Sequence, residues 1–221
     1  MSILYTRRSL AVSVGTFGLA ACASDLRKTS PFWSTVTNTR PQKADADIRA
    51  YAEGLDYASM LFWFDGQSRS LVVLGGADAT DRLIWYTAEK QAISTYGPFI
   101  TRAIGTEVEL RETKFGDGWS SDVRNLVGMS VTRQTTIAHR GKQATATLVS
   151  TFRDVGPTSI DVLGNAYQVR QIDETMVAEN RTRILNSYWV DSVSGEWRKA
   201  RQQVIPLLAP VNTMIVKSPR S

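Results

Sequence analysis

The stretch 131–152, VTRQTTIAHRGKQATATLVSTF, decides the fold class of this chain. Two segments in which polar and apolar residues alternate, 131–139 and 143–152, flank a short connection containing Gly141. Alternation with a period of two predicts half-buried strands, and a short connection with glycine predicts a hairpin turn. The stretch therefore predicts an antiparallel pair, because a crossover between parallel strands needs a dozen or more residues.

The pattern of short strands and turns continues on both sides of this stretch. Further strands are predicted at 57–64, 69–74, 82–87, 91–96, 159–163, 167–172, 182–190 and 197–204. One helix is predicted at 45–55, and the pattern lapses between Phe115 and Gly128, where we expect a loop or a short helix. These elements predict an all-β protein, an antiparallel barrel-like or strongly curved sheet with one short N-terminal helix that plugs or covers it. A two-sheet sandwich is the alternative.

Composition restricts the possible functions. The 221 residues are 43% hydrophobic and 21% charged, which predicts one compact domain. The strand pattern assigns it to residues 44–221 as a single β-rich periplasmic domain. A single cysteine and a single histidine cannot build a multi-Cys or multi-His zinc site within one chain. The glycine-rich turns that hold nucleotide phosphates are missing from the sequence, so we expect no cofactor. A net charge of +5 without a long basic run predicts no nucleic-acid partner.

The N-terminus has the order of a bacterial lipoprotein signal. Arg7 and Arg8 precede an apolar stretch at 9–19, which is too short to span a bilayer. It ends in Leu-Ala-Ala-Cys, with the cysteine at Cys22, and this resembles the lipoprotein cleavage box. The prediction is a signal peptide at 1–21, lipid attachment at Cys22, and a Ser-, Thr- and Pro-rich tether at 22–43.

The residues next to Cys22 bear on localisation. Ala23 and Ser24 follow it, and an acidic residue that would retain a lipoprotein at the inner membrane in enteric bacteria is missing there. We therefore expect a lipid-anchored protein on the periplasmic face of the outer membrane. Residues 6–10, TRRSL, resemble a twin-arginine export signal, and both this route and the general secretory route lead to the periplasm.

Candidate catalytic groups are few. Glu107 and Glu109 lie two apart in a predicted strand, and Asp117 and Asp122 lie in the irregular stretch, where paired carboxylates could act in glycoside hydrolysis. Surface carboxylates with this spacing are common, and His139 follows no nucleophile motif. The sequence predicts a protein that is not an enzyme, with no catalytic or metal-binding residues.

Aromatic and basic residues supply the candidate contacts with a glycan or a protein partner. Trp63 and Trp85 lie in apolar runs and are predicted to be core residues, whereas Trp119 and Trp197 flank loops and are expected to meet solvent. Alternation would place Lys199 and Arg201 on the face of Trp197, as a basic aromatic stripe. Core packing of the tryptophans and a charged, solvated strand edge explain the same residues without a ligand.

The chain resembles the YjbF/GfcB-type family of group 4 capsule and exopolysaccharide lipoproteins. The resemblance rests on segments in order after Cys22, namely YASM (57–60), LVVLG (71–75), WYTA (85–88), IDVLGNAY (160–167), YWVD (188–191), GEWR (195–198) and RQ (201–202). It implies a mainly β, barrel-like fold, an outer-membrane lipoprotein and a role in exporting or assembling a surface polysaccharide. It implies no catalytic residues, and only Cys22 carries over as a functional residue.

Three functions remain open from the sequence. The first is a non-enzymatic accessory whose domain contacts polysaccharide or polysaccharide-export proteins, with outer-membrane lipid holding it through Cys22. The second is a periplasmic polysaccharide-modifying enzyme, a lyase or hydrolase that uses Asp117 or Asp122. The third is a general structural lipoprotein of the envelope. We expect the first.

Overall fold

A computed structural model describes residues 44–88, 91–105, 108–204 and 209–219. One helix, α1 (Asp45–Glu53), precedes the strands, and a short 3-10 helix (Val123–Leu126) follows the sixth strand. The strands are β1 (Ser59–Phe64), β2 (Ser70–Ala77), β3 (Leu83–Tyr86), β4 (Ala92–Tyr96), β5 (Phe99–Ile104), β6 (Val108–Phe115), β7 (Ser130–His139), β8 (Lys142–Val162), β9 (Asn165–Ala178), β10 (Arg183–Asp191), β11 (Trp197–Gln202) and β12 (Val211–Lys217).

The strands form a closed antiparallel barrel in sequence order. Each strand pairs with its neighbour in the chain, and β1 closes the ring by pairing with both β2 and β12. This confirms the predicted barrel-like sheet with one short helix. The 131–152 hairpin is confirmed as well, because Arg140 and Gly141 both have positive φ, the geometry of a two-residue type I′ turn between β7 and β8.

The strand count differs from the prediction in two ways. Segments 143–152 and 159–163 are one strand, β8, of 21 residues, because a bulge between Asp154 and Gly156 accommodates the interruption at Gly156 and Pro157. Two strands, β5 and β12, were not predicted. The helix confirms the prediction at its start, and it ends at Glu53 with Gly54 as its C-cap.

Apolar side chains fill the barrel, and most of them belong to two large clusters. The first centres on Phe62, Trp85 and Ile215, and the second centres on Phe99 and Tyr188. Alternation along each strand accounts for both, because residues at every second position point to the same face. Trp85 is fully buried, and its Nε1 donates to Thr95 Oγ1 at 3.0 Å. Its prediction as a core residue is therefore confirmed.

A third cluster lies on the outside of the barrel. Leu61 and Met214 are register partners of β1 and β12, and they alternate with the inward residues of those strands. Ile48 of α1 and the tip of the β8–β9 hairpin, Val162 and Leu163, cover them. The helix therefore covers the barrel rather than plugging it. Trp63, predicted to be a core residue, is half-buried and packs at the margin of this outer cluster rather than inside the barrel.

One end of the barrel is filled by the segment 116–129, which we call the plug loop. It contains the 3-10 helix, whose Val123 and Leu126 are buried in the second interior cluster. The loop lies so close to the β4–β5 turn that a Cβ on Gly97 would stand 1.9 Å from the carbonyl oxygen of Ser121. The expected loop or short helix in this region is confirmed.

Candidate functional site

The outer face of β10 and β11 brings a lysine and a tryptophan together. Trp189 and Lys199 are register partners, and the Lys199 Nζ lies 4.9 Å from the centroid of the Trp189 ring. Both side chains are half-buried. Burial lowers the pKa of the Lys199 ammonium, since the strands remove part of the water that solvates its charge. A cation over an indole face is attracted by the negative face of the ring.

Lys199 differs from the other cations near it because it faces an aromatic ring and no carboxylate. Arg198 pairs with Glu196 at 3.1 Å and with Asp191 at 3.6 Å. Arg201 pairs with Asp65 at 2.5 Å, and Asn212 Nδ2 donates to the same carboxylate at 2.7 Å. Within the described ranges, Lys199 has no ion pair.

The ion pair between Arg201 and Asp65 affects the pKa of the Asp65 carboxyl. Burial raises the pKa of the Asp65 carboxyl, but hydrogen bonds from Arg201 and Asn212 outweigh that effect, and the pKa is lowered overall. Arg201 is therefore held in place by a charged turn between β1 and β2. We call Trp189, Lys199 and Arg201 the β10–β11 face.

Trp197 lies on the opposite side of the sheet from Lys199 and Arg201. It is 8% exposed and packs in the first interior cluster. A bulge is the cause, because Trp189 pairs with Lys199 while the next residue, Val190, pairs with Trp197, which leaves Arg198 as an extra residue. The predicted stripe is therefore wrong for Trp197, whose expected exposure to solvent is also wrong, and Trp189 takes its place beside Lys199.

Trp119 is half-buried among aromatic rings. It stacks on Phe115 with centroids 4.5 Å apart and meets Phe99 and Phe152 edge-on. The Arg133 guanidinium lies 5.4 Å from its ring. These contacts occupy the faces of the indole that a sugar would use, so Trp119 serves to hold the plug loop in the barrel.

A charged network inside the barrel has no counterpart in the sequence-based prediction. Glu174 is fully buried on β9 and accepts hydrogen bonds from Asn186 Nδ2 and Tyr188 Oη, each at 2.7 Å, and from Ser150 Oγ. Arg133, 4% exposed, pairs with the same carboxylate at 3.1 Å. Burial raises the pKa of the Tyr188 hydroxyl well above its usual value, and the Glu174 charge adds to this.

The sequence contained a signal for this network. Glu174 shares an alternation with Ile172 and Met176, which are both fully buried, so its carboxylate falls at an inward position of an otherwise apolar face. A buried carboxylate requires hydrogen-bond donors and a counter-ion. The sequence does not show which strand supplies these donors and the counter-ion, because Arg133 lies 41 positions before Glu174 in the chain.

The other candidate residues are distributed over the surface. Asp122 caps the 3-10 helix by accepting from the Arg124 amide at 3.0 Å, and its side-chain bond with Arg124 lowers the pKa of the Asp122 carboxyl. Asp117 is exposed in the plug loop, and Glu109 pairs with Arg111 at 2.7 Å. His139 ends β7 at the hairpin turn. Cys22 and Glu107 lie outside the described residues.

Membrane attachment was predicted from the N-terminal part of the chain. Among the residues with described positions, no helix is both long enough and apolar enough to cross a bilayer. The predicted signal peptide, 1–21, and the predicted tether, 22–43, lie outside the described residues, and both remain predictions.

Comparisons with known proteins bear on the fold and the family. No curated protein sequence matches the chain. The crystal structure of the hypothetical lipoprotein YmcC from Escherichia coli K12 is similar with a TM-score of 0.70 at 24% identity, covering 80% of this chain and 90% of that one. At this identity the likeness shows a shared fold. The sequence model of the family described as group 4 capsule polysaccharide lipoprotein GfcB, YjbF matches residues 28–216.

That match covers α1 and all twelve strands except the final residue of β12. The barrel, the outer cluster and the β10–β11 face therefore all lie in the region that defines the family. From this coverage, the chain belongs to the YjbF/GfcB family of group 4 capsule polysaccharide lipoproteins.

Proposed function

We propose that the protein is an outer-membrane lipoprotein that acts as a non-enzymatic accessory in the export or assembly of a capsule or exopolysaccharide. Acylated Cys22 holds it at the periplasmic face of the membrane, and the β10–β11 face contacts the polymer or a polysaccharide-export protein. The observation that carries the proposal is the Lys199 ammonium, partly desolvated over Trp189 and without a carboxylate partner among the described residues.

The chemistry of this pair suits an acidic polymer. A lysine that has lost part of its hydration gains more from an incoming anion than a fully solvated one, since less water must be removed on binding. Sugar rings carry apolar C–H faces that stack on indole, and an acidic sugar adds a carboxylate that Lys199 would bind. An acidic surface on an export protein would use the same two side chains.

The enzyme alternative has less support from the described carboxylates. A general acid at neutral pH needs a raised pKa, whereas the pKa of Asp122 is lowered by its own neighbour, Arg124. Asp122 also caps the 3-10 helix, which gives it a structural role. A depolymerisation assay on the purified protein separates the two functions, because an accessory leaves the length of the polymer unchanged.

The test of the proposal is a comparison of polysaccharide in the medium and in the periplasm. The strains are the parent, a deletion, Cys22→Ala, and the double variant Trp189→Leu with Lys199→Gln. We expect less polymer outside and more inside in the last three strains. Lys114→Gln is the matched control, because Lys114 is an exposed lysine on β6, paired with Glu112 at 3.5 Å, and its loss leaves the β10–β11 face intact.

Each contrary result points to a different function. Unchanged polymer in the deletion strain, together with general membrane leakiness, would favour a structural role in the envelope. A defect in the deletion strain that the double variant does not reproduce would retain the export role and remove the β10–β11 face from it. Immunoblots confirm that every variant accumulates to the parental level.

A further inference from the structure

The β7–β8 ribbon extends beyond the end of β9. On one side, residues 142–147 of β8 pair with β7 from His139 back to Gln134. On the other side, the ladder with β9 begins only at Leu148, which lies opposite Ala178. Across the described parts of the chain, no strand pairs with this second side of 142–147. The backbone therefore presents six residues of strand with their outer N–H and C=O groups open.

This edge has few of the features that protect natural edges from pairing. It contains no proline and no bulge, and its register with β7 is continuous from Lys142 to Ser150. Lys142, Gln143 and Thr145 are exposed, so solvent reaches the strand. Edge strands are normally protected by charges, prolines or bulges, because their free backbone groups are a template for another strand. Here a single charge, Lys142, stands at the tip.

We propose that two copies of the chain pair antiparallel through the 142–147 edges, so that one sheet continues from barrel to barrel. In a two-fold arrangement the Lys142 end of one edge faces the Thr147 end of the other. Each incoming strand then lies in line with β9 of the partner, and its Lys142 comes next to the turn that follows Ala178. The exposed Glu179 directly follows Ala178, and the exposed Arg181 stands two residues further along the same turn. The first charge after Ala178 that each copy offers to the other copy's lysine is therefore a carboxylate.

The charges favour a second copy as the occupant of the edge. The only charged side chain on 142–147 is Lys142, so antiparallel self-pairing sets no like charges directly opposite each other. The Lys142–Glu179 contact forms twice, once on each side of the axis. This inference concerns a different surface from the β10–β11 face and does not depend on the proposed role in polysaccharide export.

Disulfide crosslinking in the periplasm tests the pairing in the full-length chain. Single cysteines are placed at Gln143, Ala144, Thr145 and Ala146, and the oxidising compartment links those that face each other across the axis. We expect one or two of these positions to give a species of twice the chain mass on non-reducing gels. Gln134→Cys is the matched control, because Gln134 is exposed on β7, one strand behind the edge. The best edge position should exceed it by at least about tenfold, since a disulfide needs Cβ atoms about 4 Å apart.

A charge exchange tests the contact between Lys142 and Glu179. In the background of the best cysteine, Lys142→Glu alone and Glu179→Lys alone should each lower the dimer yield about threefold. The variant with both changes should restore it. Both side chains are exposed, so these substitutions leave the core of the barrel untouched.

Two outcomes overturn the proposal. One is that no edge cysteine exceeds the Gln134→Cys control although all variants accumulate and keep the parental circular dichroism spectrum. The other is a crosslinked species whose mass differs from twice the chain, which would identify the edge as a site for a different protein.

Discussion

Two regions of the barrel differ in how extensively their strands are paired. We call β8 and β9 the wall, and β5 and β6 the seam. Along the wall, β8 and β9 are 21 and 14 residues long and pair from Leu148–Ala178 to Val162–Asn165, with one bulge on the way. At the seam, β5 and β6 share one register pair among the described residues, Ala103 with Leu110. Beyond that pair the two strands remain neighbours in the barrel, but the described residues show no further register pairs between them.

Aromatic side chains replace the ladder at the seam. Phe99 of β5 and Phe115 of β6 have ring centroids 6.1 Å apart, and Trp119 of the plug loop packs against both. Tyr96 on β4 adds a further contact with Phe115, at 5.5 Å. This barrel is therefore held closed by two means, by long backbone ladders along β8 and β9 and by packed rings beside the single described register pair of β5 and β6.

The wall depends on its buried charge network, and this gives the largest expected effect. Glu174→Ala would leave the Arg133 guanidinium buried without its carboxylate, which we expect to lower the free energy of unfolding by about 4 kcal/mol. Urea denaturation followed by circular dichroism measures the change. Glu112→Ala removes an exposed partner of Lys114 and should cost less than about 1 kcal/mol. Equal effects of the two substitutions would show that the network contributes no special stability.

The seam depends on the plug loop, and the next effect tests this. Trp119→Ala removes the ring that packs against Phe99 and Phe115, and we expect a loss of about 3 kcal/mol. Trp119→Phe, which keeps an aromatic ring, should recover more than half of that loss. The same urea titration measures both variants. A Trp119→Ala protein as stable as the parent would mean that something other than the ring cluster closes the seam.

Amide hydrogen exchange compares the two regions directly in the unmodified protein. β9 is paired on both sides along Val169–Val177, whereas β5 is anchored to β6 by one pair. We expect the amides of β5 to exchange at least about tenfold faster than those of β9, because local opening requires fewer broken contacts at the seam. Equal protection would indicate that the barrel opens only as a whole.

The smallest effect concerns the ion pair on the outer surface. The pKa of Asp65 is lowered in the folded protein, so its contribution to stability is present above its ordinary pKa of 3.8 and is lost as the pH falls through the lower, folded value. Side chains of Asp65 and Arg201 are 43% and 44% exposed, which limits this contribution to less than about 1 kcal/mol. Asp65→Asn should therefore lose less stability than the parent between pH 6 and pH 3, measured by urea midpoints. An identical loss would mean that other carboxylates account for the acid sensitivity.

Local patterns predicted the wall better than the seam. The β7–β8 hairpin follows from alternation and a glycine turn, and both of these features lie within 22 consecutive residues. β5 has a short apolar sequence, FITRAI, with no alternation, so its pattern does not distinguish a strand from a buried loop. The turn before β5 also packs against Ser121 of the plug loop through Gly97, and these two residues are more than 20 positions apart in the chain.

The sequence identified residues of the candidate site, but it did not predict on which face of the sheet each one lies. Lys199 and Arg201 were identified from the sequence, but period-two alternation fails at a bulge, and the bulge at Arg198 moved Trp197 to the interior. Trp189, which takes its place, lies ten positions before Lys199 and meets it only through strand register. The Glu174 network needed the same tertiary information, because Arg133, Ser150 and Asn186 come from three different strands.

The placement of α1 sets how the domain responds to mechanical load. Arg69 pairs with Asp45, Arg49 donates to the carbonyl of Leu163 at 3.0 Å, and Lys217 donates to the carbonyl of Leu55. These three contacts lie on the outside of the barrel. A force applied to the chain from its N-terminal side would therefore act on them first. We therefore expect the helix to detach from the outer surface under load before the strands of the barrel separate.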